Sequence, residues 1–298
     1  MNASQPCVIS LFGPTAVGKT EVALALAGRL RSEGADPVAV SADAFQLYRG
    51  LEVLSGAPTP AQRQELEHLL VGTHDIGEAM SAGRFAEEAH EAIDGALATG
   101  RQPIVIGGSG LYMQAALTSL EMRPPVADGS SAPGQGGTAM YERLRSLSPE
   151  AAAQIDPGDS YRAGRAVALA QAGGRPEPGG AFWEAPLRHP TLRVALVRER
   201  EELYARIERR VDEMLALGAV GEVLAAQASA SPTARGVIGF EELPAGAVDE
   251  MKARTRRYAK RQMTWTRRLP ESLVIDLSAT GADEAAATVV SALDGKRQ

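Results

Sequence analysis

Short apolar runs alternate with amphipathic stretches along the first third of the chain. The first run, residues 7–12, is continuous and β-rich, which is typical of a strand buried on both faces of a parallel sheet. Similar short runs at 38–40 and 104–106 predict two more strands. Apolar positions at helical spacing predict helices over 21–30 and 82–98. This alternation predicts an α/β fold, in which a parallel sheet has helices on both faces.

The alternation stops after residue 120 and resumes near residue 190. Two stretches rich in Pro and Gly, 124–137 and 173–180, predict flexible connectors on either side of two short helices. We therefore predict a core domain formed by residues 1–118 and 190–298, with a small helical insertion domain at 119–189. The predicted elements after residue 120 are helices at 140–147, 161–171, 199–216, 248–268 and 282–293, and strands at 192–197 and 273–277.

Composition limits the class of protein. The chain has 298 residues, 44% apolar and 23% charged, which is ordinary for a globular enzyme. It lacks the run of about 18 uncharged apolar residues that a membrane span needs. The single cysteine, Cys7, cannot form an internal disulfide. We therefore expect a cytoplasmic monomer without membrane association.

A phosphate-binding signature joins the first predicted strand to the first helix. It satisfies G-x-x-x-x-G-K-[ST], and its backbone N–H groups together with the helix N-terminus suit a polyphosphate. Lys19 would bind the outer phosphate, and the Thr20 hydroxyl would hold Mg²⁺. The fold is thus predicted to resemble the P-loop NTPases. The signature comprises Gly13, Pro14, Thr15, Ala16, Val17, Gly18, Lys19 and Thr20.

The expected acidic Mg²⁺ ligand of an ATPase is missing from the third strand. That strand runs into residues 107–110, Gly-Gly-Ser-Gly, which contain no carboxylate. P-loop enzymes that transfer the γ-phosphoryl group usually have an acid at this place. The sequence therefore favours a diphosphate that is bound in order to depart as a leaving group.

Polar side chains follow the second and third strands, where parallel sheets bind ligands. Asp43 comes directly after the second strand and has two interpretations, a base for an amine nucleophile or the cap of a following helix. Gln46 could hydrogen-bond the edge of a base. Ser109 is either a turn residue or a hydroxyl donor. The residues alone leave these alternatives open.

Basic residues concentrate in the predicted helix at 248–268, although the net charge of the chain is −6. Tyr258, Gln262 and Trp265 form a stripe between its basic faces. Such a concentration is either a solvated surface or a contact for the phosphate backbone of a nucleic acid. Because no acidic residue lies among them, the second interpretation is favoured. The basic residues are Lys252, Arg254, Arg256, Arg257, Lys260, Arg261, Arg267 and Arg268.

Several segments together resemble the tRNA dimethylallyltransferase family. The phosphate signature resembles that of the family, and residues 41–48 are similar to its D-S-x-Q-x-Y segment, with Ala44 where serine is usual. Residues 107–112 resemble G-G-T-G-L-Y, and residues 255–265 resemble T-R-Q-Y-A-K-R-Q-x-T-W. Three shorter segments, 67–69, 159–165 and 238–242, resemble the family's His-Leu, N-D-x-x-R-x-x-R and I-G-Y-K-E motifs. The phosphate signature alone is generic, whereas the ordered set is specific.

The resemblance implies a mechanism. The loop would hold dimethylallyl diphosphate and Mg²⁺, and the anticodon stem-loop of tRNA would enter between the core and the insertion domain. The adenine next to the anticodon (position 37) would be flipped towards the diphosphate. Asp43 would accept the N6 proton, and Ser109 would support the adenine. Lys19 and Mg²⁺, together with Arg162 or Arg165, would stabilise the departing diphosphate. The implied tRNA-binding residues are Asp43, Ala44, Phe45, Gln46, Ser109, Tyr161, Arg162, Arg165, Arg257 and Arg261.

The chain departs from the family pattern in two places, and other functions stay open. Ala57 stands where the family's G-T-A-K-P segment has lysine, and the insertion is short. One alternative is an isopentenyltransferase that acts on free adenine nucleotides, which would not need the basic helix. Another is a P-loop kinase or NTPase, and a third is a non-catalytic RNA-binding module.

Overall fold

The computed structural model describes residues 7–119, 137–153, 155–158, 160–171 and 185–297. The chain divides into two compact units, one formed by Met1–Met122 with Pro186–Gln298 and the other by Arg123–Ala185. None of the helices in the described ranges is long and apolar enough to cross a membrane.

The first unit is built on a parallel sheet of six strands in the order β3-β2-β4-β1-β5-β6. In register, Ile9 of β1 lies opposite Ile104 of β4 on one side and Leu192 of β5 on the other. The strands are β1 (Val8–Phe12), β2 (Pro37–Ser41), β3 (His68–Leu69), β4 (Gln102–Gly107), β5 (Thr191–Val197) and β6 (Leu273–Asp276).

Helices cover both faces of this sheet, as the continuous apolar runs require. Ile9 and Leu11 of β1 belong to one apolar cluster, and Val8 and Phe12 belong to another. Successive side chains of a strand point to opposite faces, so β1 is buried on both sides. The helices of this unit are α1 (Lys19–Ser32), α2 (Glu52–Ser55), α3 (Pro60–Glu65), α4 (Ala82–Ala98), α5 (Gly110–Leu117), α9 (Arg200–Ala216), α10 (Ala219–Ala226), α11 (Val248–Thr266) and α12 (Ala282–Arg297).

The second unit has a small apolar core of its own. It contains α6 (Gly137–Leu147), α7 (Pro149–Ala152) and α8 (Ser160–Gln171). Leu144 of α6 and Val167 of α8 are both buried in one cluster with alanines of α7 and α8. The predicted connectors at 124–137 and 173–180 lie outside the described residues, except for Gly137 at the start of α6.

The predicted strands and long helices are confirmed with ends that move by a few residues. The sequence did not predict several short elements, which are β3, α2, α3, α5, α7 and α10. Strand β3 has two residues and α2 has four, which is too short for periodicity to show. Helix α5 is buried on nearly every side, so it has no amphipathic pattern.

Candidate active site

The phosphate loop lies between β1 and α1, at the carboxyl ends of the strands. Gly18 precedes α1 with a φ of 119°, a conformation that favours glycine. A Cβ on Gly13 would lie 2.6 Å from the backbone oxygen of Leu196 in β5. The two glycines of the motif are therefore needed for the turn and for its close approach to the neighbouring strand.

Side chains from distant elements hold the carbonyl oxygens of this loop. Arg198 Nε donates to the oxygen of Val17 at 3.2 Å, and Arg206 Nε donates to that of Ala16 at 2.7 Å. Lys19 Nζ donates to the oxygens of Gly13 and Pro14 at 3.0 and 2.8 Å. These bonds hold the loop in place. Its Thr15 N–H is also engaged, because it donates to Gln262 Oε1 at 2.9 Å.

Three cationic side chains line one pocket at this edge of the sheet: Lys19 and, from α9, Arg206 and Arg210. Burial, and next the charge of Arg210, lower the pKa of Lys19 to about 8. Burial also lowers the pKa of Arg210, whose Nη2 donates to the Gly56 oxygen at 3.0 Å. Partly desolvated cations with lowered pKa values gain most from a bound anion. The sequence prediction missed both arginines, although their spacing of one helical turn was visible.

Asp43 lines the same pocket and is partly buried. Its Oδ1 accepts a hydrogen bond from the Phe45 N–H at 3.0 Å, within a turn rather than at the start of a helix. Burial raises the pKa of the carboxyl, while that bond and the charge of Lys19 oppose the rise. The alternative in which Asp43 caps a following helix is therefore wrong, because a turn follows β2. One carboxylate oxygen fixes the turn, and the group still faces the pocket.

The other predicted substrate residues separate into two groups. Phe45 and Gln46 line the pocket, and Gln46 accepts a hydrogen bond from Ser41 Oγ at 2.8 Å and donates to the Gly56 oxygen at 3.3 Å. Ala44 is buried in the core. Ser109 precedes α5 and is not among the residues that line the pocket, so its catalytic role stays a prediction.

The loop and insertion residues are also divided. Thr15, Ala16, Gly18, Lys19 and Thr20 line the pocket, whereas Gly13, Pro14 and Val17 support the loop from behind. The backbone of Tyr161, Arg162 and Arg165 lies in α8 of the second unit, and their side chains lie outside the described residues.

One wall of the pocket is apolar and continuous with the core. Its members belong to the same hydrophobic cluster, in which a Cβ on Gly239 would lie 2.6 Å from Leu54 Cδ1 and 2.8 Å from Met251 Cε. The pocket therefore offers cations for an anionic group and an apolar surface for a hydrocarbon group. The apolar lining residues include Leu54, Val211, Met214, Val237 and Met251.

The donor set for a divalent cation is small. In the described ranges no group of three His, Cys, Asp or Glu side chains could hold a metal ion. The Thr20 hydroxyl, Asp43 and Glu21 do open into the pocket. This set suits Mg²⁺, which keeps several waters and takes phosphate oxygens as ligands.

The basic residues of α11 have more acidic partners than the sequence indicates. The helix itself has few acids, but α9 packs beside it and supplies partners. Arg257 pairs with Glu250 of the same helix at 2.6 Å, so its charge is compensated. The prediction that the basic residues lack compensating acids is therefore wrong for half of the helix. The other pairs are Lys252 with Asp212, Arg254 with Glu242 and Arg256 with Glu208.

The C-terminal half of α11 and the turn after it keep their positive charge. Four basic side chains there are exposed, and none pairs with an acid of the described part of the chain. Arg261 lies over the ring of Tyr258, 5.5 Å from its centroid, and Tyr258 lines the pocket. An unpaired basic surface thus adjoins the site. We call it the basic face, and it comprises Lys260, Arg261, Arg267 and Arg268.

Comparisons with known proteins place this site in a family. A family model described as IPP transferase matches residues 46–269. A protein of Halorhodospira halophila named tRNA dimethylallyltransferase is 38% identical, over 87% of this chain and 89% of its own length. A protein of the same name from Anaeromyxobacter is 39% identical, over 88% and 91% of the two chains.

Solved structures agree with the sequence relatives. The tRNA isopentenylpyrophosphate transferase of Bacillus halodurans superposes with a TM-score of 0.71 at 27% identity, covering 98% of this chain and 97% of that one. A eukaryotic dimethylallyltransferase, described as acting on tRNA, gives a TM-score of 0.76 at 25% identity, covering 97% and 79%. From its sequence and its structure alike, the chain belongs to the IPP transferase family.

Proposed function

We propose that this protein transfers the dimethylallyl group of dimethylallyl diphosphate to N6 of the adenine next to the anticodon (position 37) of tRNA. One observation carries the proposal: a single pocket holds the phosphate loop with three cations, an apolar wall and the carboxylate of Asp43. The relatives that are named tRNA dimethylallyltransferase support the same reaction.

The two ends of the donor match the two parts of the pocket. The diphosphate would lie against the loop N–H groups, Lys19, Arg206 and Arg210, and the five-carbon group against the apolar wall. As the allylic C–O bond breaks, negative charge grows on the diphosphate. Preorganised cations in a buried site stabilise that charge more than water does.

Asp43 is the proposed base for the proton of the acceptor. The exocyclic N6 amine attacks the allylic carbon, a C–N bond forms, and diphosphate leaves with the electrons of the C–O bond. The amine must then lose a proton, which the Asp43 carboxylate accepts. Burial raises the pKa of Asp43, which makes its carboxylate a stronger base than an exposed aspartate, while the Phe45 N–H and the charge of Lys19 oppose the rise.

Mg²⁺ would be held by the Thr20 hydroxyl with oxygens of the diphosphate and water. It would supply additional positive charge for the leaving group. Lys19 and the two α9 arginines perform the same task from the protein side.

The basic face is the part of the described surface that suits an RNA backbone. Its exposed lysine and arginines adjoin Tyr258, which lines the pocket. A free mononucleotide has no extended phosphate chain that would reach such a surface. We therefore propose that the basic face binds the anticodon stem-loop while the adenine enters the pocket.

The direct test is a transfer assay with labelled dimethylallyl diphosphate and Mg²⁺. Parallel reactions contain unmodified tRNA, AMP or ATP. We expect label in tRNA alone. Label on AMP would replace tRNA by free nucleotides as the acceptor, and release of phosphate from ATP without prenyl transfer would refute the proposal.

A further inference from the structure

The side chain of Gln262 joins the phosphate loop to the end of β4, although it belongs to α11. Its Oε1 accepts a hydrogen bond from the Thr15 N–H at 2.9 Å, and its Nε2 donates to the Gly108 oxygen at 2.8 Å. The side chain is 2% exposed. An amide is the group that can serve both partners, because one is a donor and the other an acceptor.

The backbone packs closely around this amide. A Cβ on Gly108 would lie 2.3 Å from Gln262 Nε2 and 2.8 Å from the Gly13 oxygen. The Gly13 N–H also donates to the Gly107 oxygen at 3.3 Å. The ends of β1 and β4 are thus in direct backbone contact. The Gln262 amide adds a second link, between the phosphate loop after β1 and the turn after β4.

Both partners of Gln262 border chemically important groups. Thr15 lines the pocket in the phosphate loop, and Gly108 is followed by Ser109, the predicted adenine-supporting residue. The residue before Gln262 is Arg261 of the basic face. A displacement of α11 would therefore move the phosphate loop through the side chain of Gln262.

We propose that Gln262 is a positioning residue that sets the phosphate loop against the turn after β4 and ties both to the helix of the basic face. The expected effect of Gln262 on turnover rests on the proposed function. Its effect on anion binding follows from the geometry alone.

The variants are Gln262→Met and Gln262→Glu. Methionine keeps the length of the side chain but loses both hydrogen bonds. Glutamate can still accept the bond from Thr15, but as a carboxylate it repels the Gly108 oxygen. The matched control is Thr266→Val, one turn further along α11, which removes a buried hydroxyl whose bond goes only to the Gln262 backbone oxygen.

Binding of inorganic pyrophosphate is measured by calorimetry, together with kcat, KM for tRNA and the unfolding temperature. We expect both Gln262 variants to bind pyrophosphate about tenfold more weakly and to lose at least as much in kcat, since about one to two buried hydrogen bonds are removed. KM for tRNA should change by less than about twofold, because binding contacts outside the pocket are untouched. Thr266→Val should behave like the unchanged protein.

Each other result decides against the proposal or against the function. Normal pyrophosphate affinity in a folded Gln262→Met protein overturns the positioning role, as does an equal loss in Thr266→Val. If Gln262→Met does not fold, Gln262→Glu is used, and unfolding of both would show a role in folding instead. A protein that binds pyrophosphate as expected but prenylates no tRNA refutes the proposed function while leaving this inference standing.

Discussion

Replacing Asp43 by Asn tests the proposed base with little change in shape. The Asn Oδ1 can still accept the hydrogen bond from the Phe45 N–H, which is 3.0 Å long, so the turn after β2 should be kept. What is lost is the negative charge and the ability to take a proton. A general base typically contributes about 10²–10⁴-fold in rate, or roughly 3–5 kcal/mol of the barrier. We expect kcat for tRNA prenylation to fall by that factor.

The same substitution should not destabilise the protein. Burial raises the pKa of the Asp43 carboxyl above its ordinary value of 3.8, so its ionised form is less favourable in the folded chain than in the unfolded one. That penalty is absent at low pH and develops as pH rises from the unfolded pKa through the folded pKa. At neutral pH the Asn variant lacks it, and its unfolding temperature should be equal to or higher than that of the unchanged protein.

The assay is single-turnover transfer of labelled dimethylallyl diphosphate to unmodified tRNA, with thermal unfolding measured in parallel. Asp75→Asn is the control, because it removes a carboxylate that does not line the pocket and that is exposed and paired with Arg49. Its effect should be small, since exposed ion pairs contribute about 0–1 kcal/mol. Near-normal turnover by Asp43→Asn would refute the reasoning, and so would a loss of turnover that parallels a loss of stability.

Three further predictions concern the loop, the basic face and the β4 turn. Pyrophosphate affinity should weaken as pH rises above about 8, where the Lys19 ammonium loses its proton, and Lys19→Met should lack this component of the pH profile; identical profiles would contradict it. Arg261→Ala should lower the salt slope of tRNA binding by about one, measured by filter binding, whereas Arg256→Ala, whose charge is paired with Glu208, should leave it unchanged. Gly108→Ala should cost about 1–3 kcal/mol in urea unfolding, because its Cβ would strike the Gly13 oxygen.

Gly28→Ala is the control for the last of these. Nothing lies within 4 Å of a Cβ at this position in α1, and alanine is favoured over glycine inside a helix by about 1 kcal/mol. This variant should be as stable as the unchanged protein or more so. A loss of stability equal to that of Gly108→Ala would contradict the steric explanation for the loss at the β4 turn.

The sequence was sufficient for the parts of the fold that have a local signal. The phosphate loop is recognisable from its spacing, and β1 from a continuous apolar run, because both properties are written in consecutive residues. Asp43 was placed correctly at the pocket because parallel strands end at one edge. The membership of the family also follows from ordered local motifs.

What the sequence did not reveal depends on contacts between distant segments. Arg210 reaches the pocket because α9 packs beside the loop, and no nearby motif marks it. The compensation of Arg256 by Glu208 also requires the packing of α9 on α11. Gln262 was visible as part of a stripe, but its bond to Thr15 joins residues 247 positions apart. Such pairings are settled by tertiary structure and not by local pattern.

The most direct measurement is the identity of the modified nucleoside. Unmodified tRNA is incubated with the protein, dimethylallyl diphosphate and Mg²⁺, then digested, and the products are located by mass spectrometry of the fragments. We predict an N6-dimethylallyl group on the adenine next to the anticodon and on no other nucleotide, with product strongly reduced for Asp43→Asn. Unmodified tRNA after prolonged incubation, or prenyl groups at other positions, would contradict the account.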